Sequence, residues 1–432
     1  MNRTRMPRAV AAVALASAAM VAMSGCTGSG TDGDESKTLT YWSMWTEEEP
    51  QAKVIAAAID AFTEETGIKV DVEWQGRAVL DQVAASLASG EAPDLVDQGY
   101  DRLGSALNSQ NALQDLSDVL DLKTVDGDAV RDVINTGIMK DIPDFGGDVS
   151  TYMIPYTIST VSLFYNADSP YVTAAPATYD QLLADCDAAK AQDIGCVVSD
   201  GDSIWAAEYW FDYLLNRNAG NGSFAALIDD QTGAGWKSPD AVKTAEQVAD
   251  LVSDGYMVSD YDASQYPAGA NNWAAGKSLF YLMGSWVTAE TQSLVGDDWT
   301  YGAGNFPSTG DDANSAVSVL PFGFAVPTAA KHADAAKDFI AFFSSPKYQD
   351  KIATEANNLT ALVDGTAPAN LEAVQATVND NELRIPFDGR GGEFFSKVFD
   401  PAFGDLWLGK TTAEEFIDTM TKGSAEFWNA EG

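Results

Sequence analysis

Leu39-Thr40-Tyr41-Trp42, then Val54, Ile55, Ile59 and Phe62, then Thr66-Gly67 before Ile68-Lys69-Val70-Asp71-Val72: the order of these patterns decides the fold class. The first four residues read as a strand. The next four recur at the three- and four-residue spacing of one helix face, Thr66-Gly67 is a stop signal, and the last run is a second strand. Strand, helix and strand within about 35 residues make a βαβ unit, which predicts a largely parallel sheet with helices on both faces. Working outward, Val79, Leu80, Val83 and Leu87 predict a second helix ending at Ser89-Gly90, and Pro93-Asp94-Leu95-Val96-Asp97 a third strand. The fold class is α/β.

Around Tyr152 the chain changes character. A long extended stretch runs from Tyr152 through Thr157–Thr160 to Val161-Ser162-Leu163-Phe164-Tyr165-Asn166 and can carry the chain into a second lobe. Beyond it, Thr178 is placed to cap a helix. Further helices are predicted over Trp205–Asn216, over Ser238–Asp254 with Pro239 in the first turn, and over Lys331–Ser344, ended by Ser345-Pro346. No internal repeat is visible.

Of 432 residues, 64 are acidic and 25 basic, a formal charge of −39. Such a surface repels phosphate backbones, and no basic run offsets the repulsion, so nucleic acid is excluded as a partner. The single histidine, His332, leaves little for a His-Ser-Asp triad or a multi-His metal site. Asp126-Gly127-Asp128 and Asp260-Tyr261-Asp262 lack a calcium loop ending in Glu, and Gly302-Ala303-Gly304 lacks the third glycine of a dinucleotide loop. Neither metal nor cofactor is expected.

The first 25 residues form a separate unit. Arg3, Arg5 and Arg8 precede an apolar run from Ala9 to Met23, the pattern of a secretion signal. The run is about 15 residues, short of the ~20 of a membrane-spanning helix. Residues 27–36 contain only Thr, Gly, Ser, Asp and Glu, a flexible tether. Cys186 and Cys196, ten apart, are either two buried thiols or a disulfide closing a small loop.

Met23-Ser24-Gly25-Cys26 resembles the lipobox of bacterial lipoproteins, in which the segment before the cysteine is removed and Cys26 would carry the lipid. Five further blocks resemble, in order, the solute-binding components of ATP-driven sugar importers, the family that includes maltose-binding protein. They are Ala61–Val70, Gly90–Leu95, Ile154-Pro155-Tyr156 leading to Phe164-Tyr165-Asn166, Gly276–Phe280 leading to Gly284-Ser285-Trp286, and Ala335–Phe343. The resemblance implies a two-lobed, periplasmic-binding-protein-like fold with three crossovers, near Ile158–Ser162, Tyr301–Asn305 and Ser344–Gln349. On this reading residues 1–25 are the signal peptide, 26–37 the tether, 38–158 with 304–347 the N-terminal lobe, and 159–303 with 348–432 the C-terminal lobe.

Ligands of such folds meet loops at the C-terminal ends of strands. A sugar needs aromatic rings for its C–H face and polar groups for its hydroxyl rim. Trp286 matches the family's stacking tryptophan. Trp45 and Glu47 follow the first strand, while Glu48 and Glu49 read as solvated capping. Gln98, Asp101 and Arg102 follow the third strand; Gln75 and Arg77 follow the second. Trp205 opens a helix, Trp210 and Trp273 read as core, and Asp388 and Arg390 lie in the glycine-rich loop Pro386–Gly392.

The expected protein is a monomeric, lipid-anchored receptor on the outer face of the cell membrane. It would bind a carbohydrate, a short oligosaccharide, and hand it to the permease of an ABC importer without doing chemistry. The alternatives are a cationic solute such as a polyamine or peptide, for which the acidic side chains would serve, and an extracellular glycoside hydrolase.

Overall fold

The computed structural model describes residues 38–172, 174–296, 299–310 and 315–431. The signal peptide, Cys26 and the tether lie outside the described residues. Within them the βαβ reading holds: β1 (Thr38–Ser43), the helix Pro50–Thr66 and β2 (Lys69–Trp74) follow in order, with β1 and β2 parallel in register from Thr38–Lys69 to Ser43–Trp74. The helix ends as its sequence dictates. Gly67 adopts φ 74°, and its N–H returns to the carbonyl of Thr63, a conformation that glycine enters without a Cβ penalty. β3 (Leu95–Gly99) is buried along its whole length and lies parallel to β1 on its other side.

β4 (Ile154–Asn166) has thirteen residues, which at about 3.3 Å each span roughly 43 Å. β5 (Gly195–Val197), β6 (Ser278–Gly284), β7 (Tyr301–Gly304), β8 (Val317–Ala325), β9 (Leu359–Thr360) and β10 (Leu383–Arg384) complete the set. The strand order is β2-β1-β3-β8-β4-β6-β5, with β10 on β8 and β7 and β9 on β4. The sheet is mixed rather than largely parallel, because β8 runs antiparallel to both β3 and β4, and β4 antiparallel to β6, β7 and β9. β4 pairs with β8 over its first half and with β6 and β7 over its second, so one strand serves two regions of the molecule.

The result is a two-lobed α/β fold with two apolar clusters. One gathers Tyr41, Phe62, Phe324, Phe339 and Phe343 around β1, β3 and the first half of β4. The other gathers Trp210, Phe211, Trp236, Phe399 and Trp407 behind the second half of β4 and β6. The segment after residue 347 divides between them: Tyr348, Ile352, Leu371 and Ile385 belong to the first cluster, Phe395, Phe403 and Phe416 to the second. The helices Tyr179–Lys190 and Pro239–Ser253 start at Thr178 and Ser238, whose hydroxyls accept from the N–H groups of Gln181 and Ala241. Cys186, on the first of these helices, is disulfide-bonded to Cys196 of β5. Trp210 and Trp273 are buried in the core. Among the described residues, no helix is long and apolar enough to cross a membrane and no cluster of potential metal ligands occurs.

Candidate functional site: two adjoining cavities

Strand ends and the loops after them build one cavity of about 380 Å³. It is lined by Trp45, Glu49 and Arg77 from the β1–β2 side and by Ser285, Trp286 and Ala289 from the segment after β6. A second, of about 440 Å³, is lined by Asp101 and Arg102 after β3, by Trp205, Glu208 and Tyr209, and by the loop carrying Arg390. Phe322 borders the first and Leu320 the second. These residues are two apart on β8 and share one face of the strand. Trp286 and Trp205, one from each cavity, lie with ring centroids 6.3 Å apart. The cavities therefore adjoin along a common strand and an aromatic pair.

Trp286 is half-buried at the start of the helix Val287–Thr291. Its ring folds back over Gly284, where an added Cβ would sit 2.0 Å from the indole, so the glycine at the end of β6 is what admits the tryptophan. Trp45 is 6% exposed, less open than a stacking platform requires. Its indole N–H donates to Tyr156 Oη at 2.7 Å, and Tyr156 donates to Asp97, which also accepts from the Met44 N–H. Burial raises the Asp97 carboxyl above its usual range against these hydrogen bonds. The Arg77 guanidinium lies 4.5 Å from the Trp45 ring centroid and is bonded to Glu49 and to the Met44 carbonyl. Trp45 is thus a fixed wall, covered in part by an arginine.

Glu49 takes the place expected of Glu47. Glu47 is exposed and borders neither cavity, because the turn before Pro50 points the Glu49 carboxylate back at Thr46 and Arg77. Partial burial would raise the Glu49 carboxyl, but the bonds from Arg77 and Thr46 outweigh it and hold it low. Gln98 also stays out of both cavities: its amide donates to the Arg77 carbonyl and its oxygen accepts from the Gly99 N–H, so it holds two loops together. Ser159 and Ser285, 2.8 Å apart through their hydroxyls, and Asn358, bonded to Gln51, complete the polar edge of the first cavity. Single short polar residues carry no distinguishing signal, which is why sequence reasoning missed them.

In the second cavity Trp205 is 44% exposed and reaches Tyr266 and Tyr209 as well as Trp286. Asp101 and Arg102 both line it. Asp101 keeps surface open to the cleft, while the crowded walls push its carboxyl pKa upward. Arg390 lines it too, held by an ion pair with Asp229 that raises its own pKa. Asp388 does not. Its carboxylate accepts from the N–H groups of Gly222, Phe224 and Ala225 at the start of the helix Ser223–Asp229, a capping role that leaves nothing for a ligand. That anchoring has a purpose in the loop itself, where Phe387, Asp388 and Gly389 have φ of 55°, 49° and 73°. Left-handed backbone at two non-glycine residues is strained, and the loop is held there by the Asp388 cap, by the Phe387 N–H on Asp212, and by Phe387 stacking on Tyr209 at 5.6 Å.

The sequence model of a family described as bacterial extracellular solute-binding protein matches residues 57–383. A maltooligosaccharide ABC transporter solute-binding lipoprotein of Streptococcus pneumoniae is 24% identical over 364 residues, covering 79% of this chain and 77% of that protein. A diacetylchitobiose binding protein of Streptomyces coelicolor is 22% identical over 354 residues, covering 78% and 72%. Among solved structures, a cyclo/maltodextrin-binding protein in complex with maltotetraose superimposes with a TM-score of 0.71 at 19% identity, over 92% of this chain and 98% of that one.

Proposed function

This chain belongs to the family of bacterial extracellular solute-binding proteins, and from that premise we propose that it captures a carbohydrate, a short oligosaccharide, outside the cell membrane and delivers it to the permease of an ABC importer. The carrying observation is the tryptophan pair Trp286 and Trp205, 6.3 Å apart, each facing one of two adjoining cavities. Sugar rings present C–H faces to such indoles, and their hydroxyls find Glu49, Arg77, Ser159, Ser285 and Asn358 around one ring and Asp101, Arg102 and Arg390 around the other. Relatives named for maltooligosaccharides and diacetylchitobiose support the substrate class.

The proposal includes a lipid anchor at Cys26, a monomeric state and the absence of chemistry. A ligand touching Trp45, Glu49 and Arg77 on one side and Ser285 and Trp286 on the other gains contacts from both regions, the differential affinity that a shift toward a closed pose requires. A thermal-shift screen over mono- and oligosaccharides, followed by calorimetry, tests this. The expected result is stabilisation by an oligosaccharide with little salt dependence. A response confined to polyamines or basic peptides, weakening steeply with salt, would replace the sugar by a cation, and release of shorter sugars on incubation would make the protein a hydrolase.

A further inference from the structure

Glu208 sits between Trp205 and Tyr209 on the helix Ile204–Ala219 and lines the second cavity with them, yet it is only 4% exposed. Its Oε1 is sealed from solvent with no hydrogen-bond partner, and so is Oδ1 of Asp400, the first residue of the helix Asp400–Trp407. The two carboxyl groups face each other within hydrogen-bonding reach. Ionised carboxylates only accept, and two buried ones in contact do not both stay charged. One proton held between them satisfies both orphaned oxygens. Burial and the neighbouring Asp400 push Glu208 up to about 10, so the proton stays at neutral pH. Asp101, Arg102 and Arg390 border the same cavity from the opposite elements, while Asp212, one turn further along the helix, is neutralised by Arg384. Asp400 does not border the cavity; the two acids touch rather than flank it, unlike the separated pair of a glycosidase.

We propose that Glu208 is a ligand-binding residue of the second cavity: sharing one proton with Asp400, it accepts a hydroxyl from the sugar unit that lies against Trp205 and Tyr209. The inference rests on the oligosaccharide reading and deepens it. Because the pair carries one negative charge instead of two, the site accepts a neutral polyol without requiring a cation. It also assigns Glu208 a role only for ligands long enough to extend past Trp286.

Calorimetry with the full chain and a series of linear oligosaccharides of increasing length tests it. Glu208→Leu is expected to lose roughly 10- to 100-fold in affinity for the longer sugars, the range of one buried hydrogen bond to a charged group, and nothing for sugars confined to the first cavity. Glu208→Gln, which can donate to Asp400 and accept from the sugar, is expected to stay within about threefold of the parent at every length. Absence of sugar binding by the parent would sink the functional reading before this one. Sugar binding by the parent together with unchanged long-sugar affinity in Glu208→Leu would overturn the inference alone, as would a loss in Glu208→Gln equal to that in Glu208→Leu. Carbon-13 titration of the Glu208 and Asp400 carboxyls keeps the test open should the leucine variant not fold. Midpoints near the ordinary carboxyl values at both Glu208 and Asp400 would remove the shared proton.

Discussion

The two cavities share β8 and an aromatic pair, yet they are built on opposite plans. Around the first, polar groups are spent on one another: Trp45 on Tyr156, Tyr156 on Asp97, Glu49 on Arg77, Ser159 on Ser285. Around the second, Trp205 stands 44% exposed, Asp101 and Arg102 are open to the cleft, and a strained loop forms the rim. The first is preorganised by its own hydrogen bonds, so a ligand meets a fixed shape there. The second leaves groups whose needs a ligand can meet. Binding strength should therefore concentrate at the first and discrimination of ligand length at the second, since rigid walls lower the ordering cost of binding while unpaired polar groups penalise a ligand that fails to reach them.

The sharpest way to break this contrast is Trp286→Ala. It removes the main ring of the first cavity, and affinity for sugars of every length should fall by about 100-fold or more, as truncation of a central aromatic anchor does, with the melting temperature little changed. Equal losses from Trp205→Ala would erase the distinction. The expectation is instead a loss of about tenfold restricted to longer sugars, since Trp205 is more exposed and peripheral. Asp388→Ala comes next. Losing the cap on Ser223–Asp229 should cost about 1 kcal/mol of stability and, by loosening the loop over the second cavity, about threefold in long-sugar affinity, read by denaturation and calorimetry side by side.

Much of the framework was legible in the sequence, because it follows from local periodicity. The β1–helix–β2 unit, the cap at Thr178, and the extended stretch that became β4 all announced themselves. Parallelism did not. Nothing local in Val317–Ala325 says that it will insert antiparallel between β3 and β4. At the site, Trp286 could be singled out because it follows the Gly284 turn at the position of the stacking tryptophan of the family that the sequence resembles. Asp388 could not, because its partners are backbone groups 163 to 166 residues away. Glu49 and Glu47 look alike in sequence and part company only once the turn before Pro50 chooses which of them faces Arg77. Glu208 was hidden for a different reason: a single glutamate on an aromatic-rich helix gives no hint that Asp400 will be packed against it.

The smallest expected effect on affinity, and the most searching test of the first cavity's rigidity, belongs to Tyr156→Phe. Tyr156 touches no cavity; it joins the Trp45 indole to the Asp97 carboxylate beneath the floor. Removing its hydroxyl leaves the Trp45 N–H and one Asp97 oxygen buried without a partner, a cost of about 1–3 kcal/mol in folding, whereas the ring that shapes the wall remains. Sugar affinity should stay within about twofold. The pH dependence identifies the cause. Asp97 is raised by burial and lowered by the Tyr156 bond, so its contribution to stability is fully present below the unfolded carboxyl value and is lost as pH rises through the folded one. Without the tyrosine hydroxyl the folded value rises further and the loss is larger. The stability deficit of Tyr156→Phe should therefore widen as pH rises above about 4, the ordinary carboxyl value, in thermal melts. A deficit that is constant with pH would mean that the hydroxyl serves Trp45 alone, and a large fall in affinity would mean that the first cavity is held by this one bond rather than by its packing.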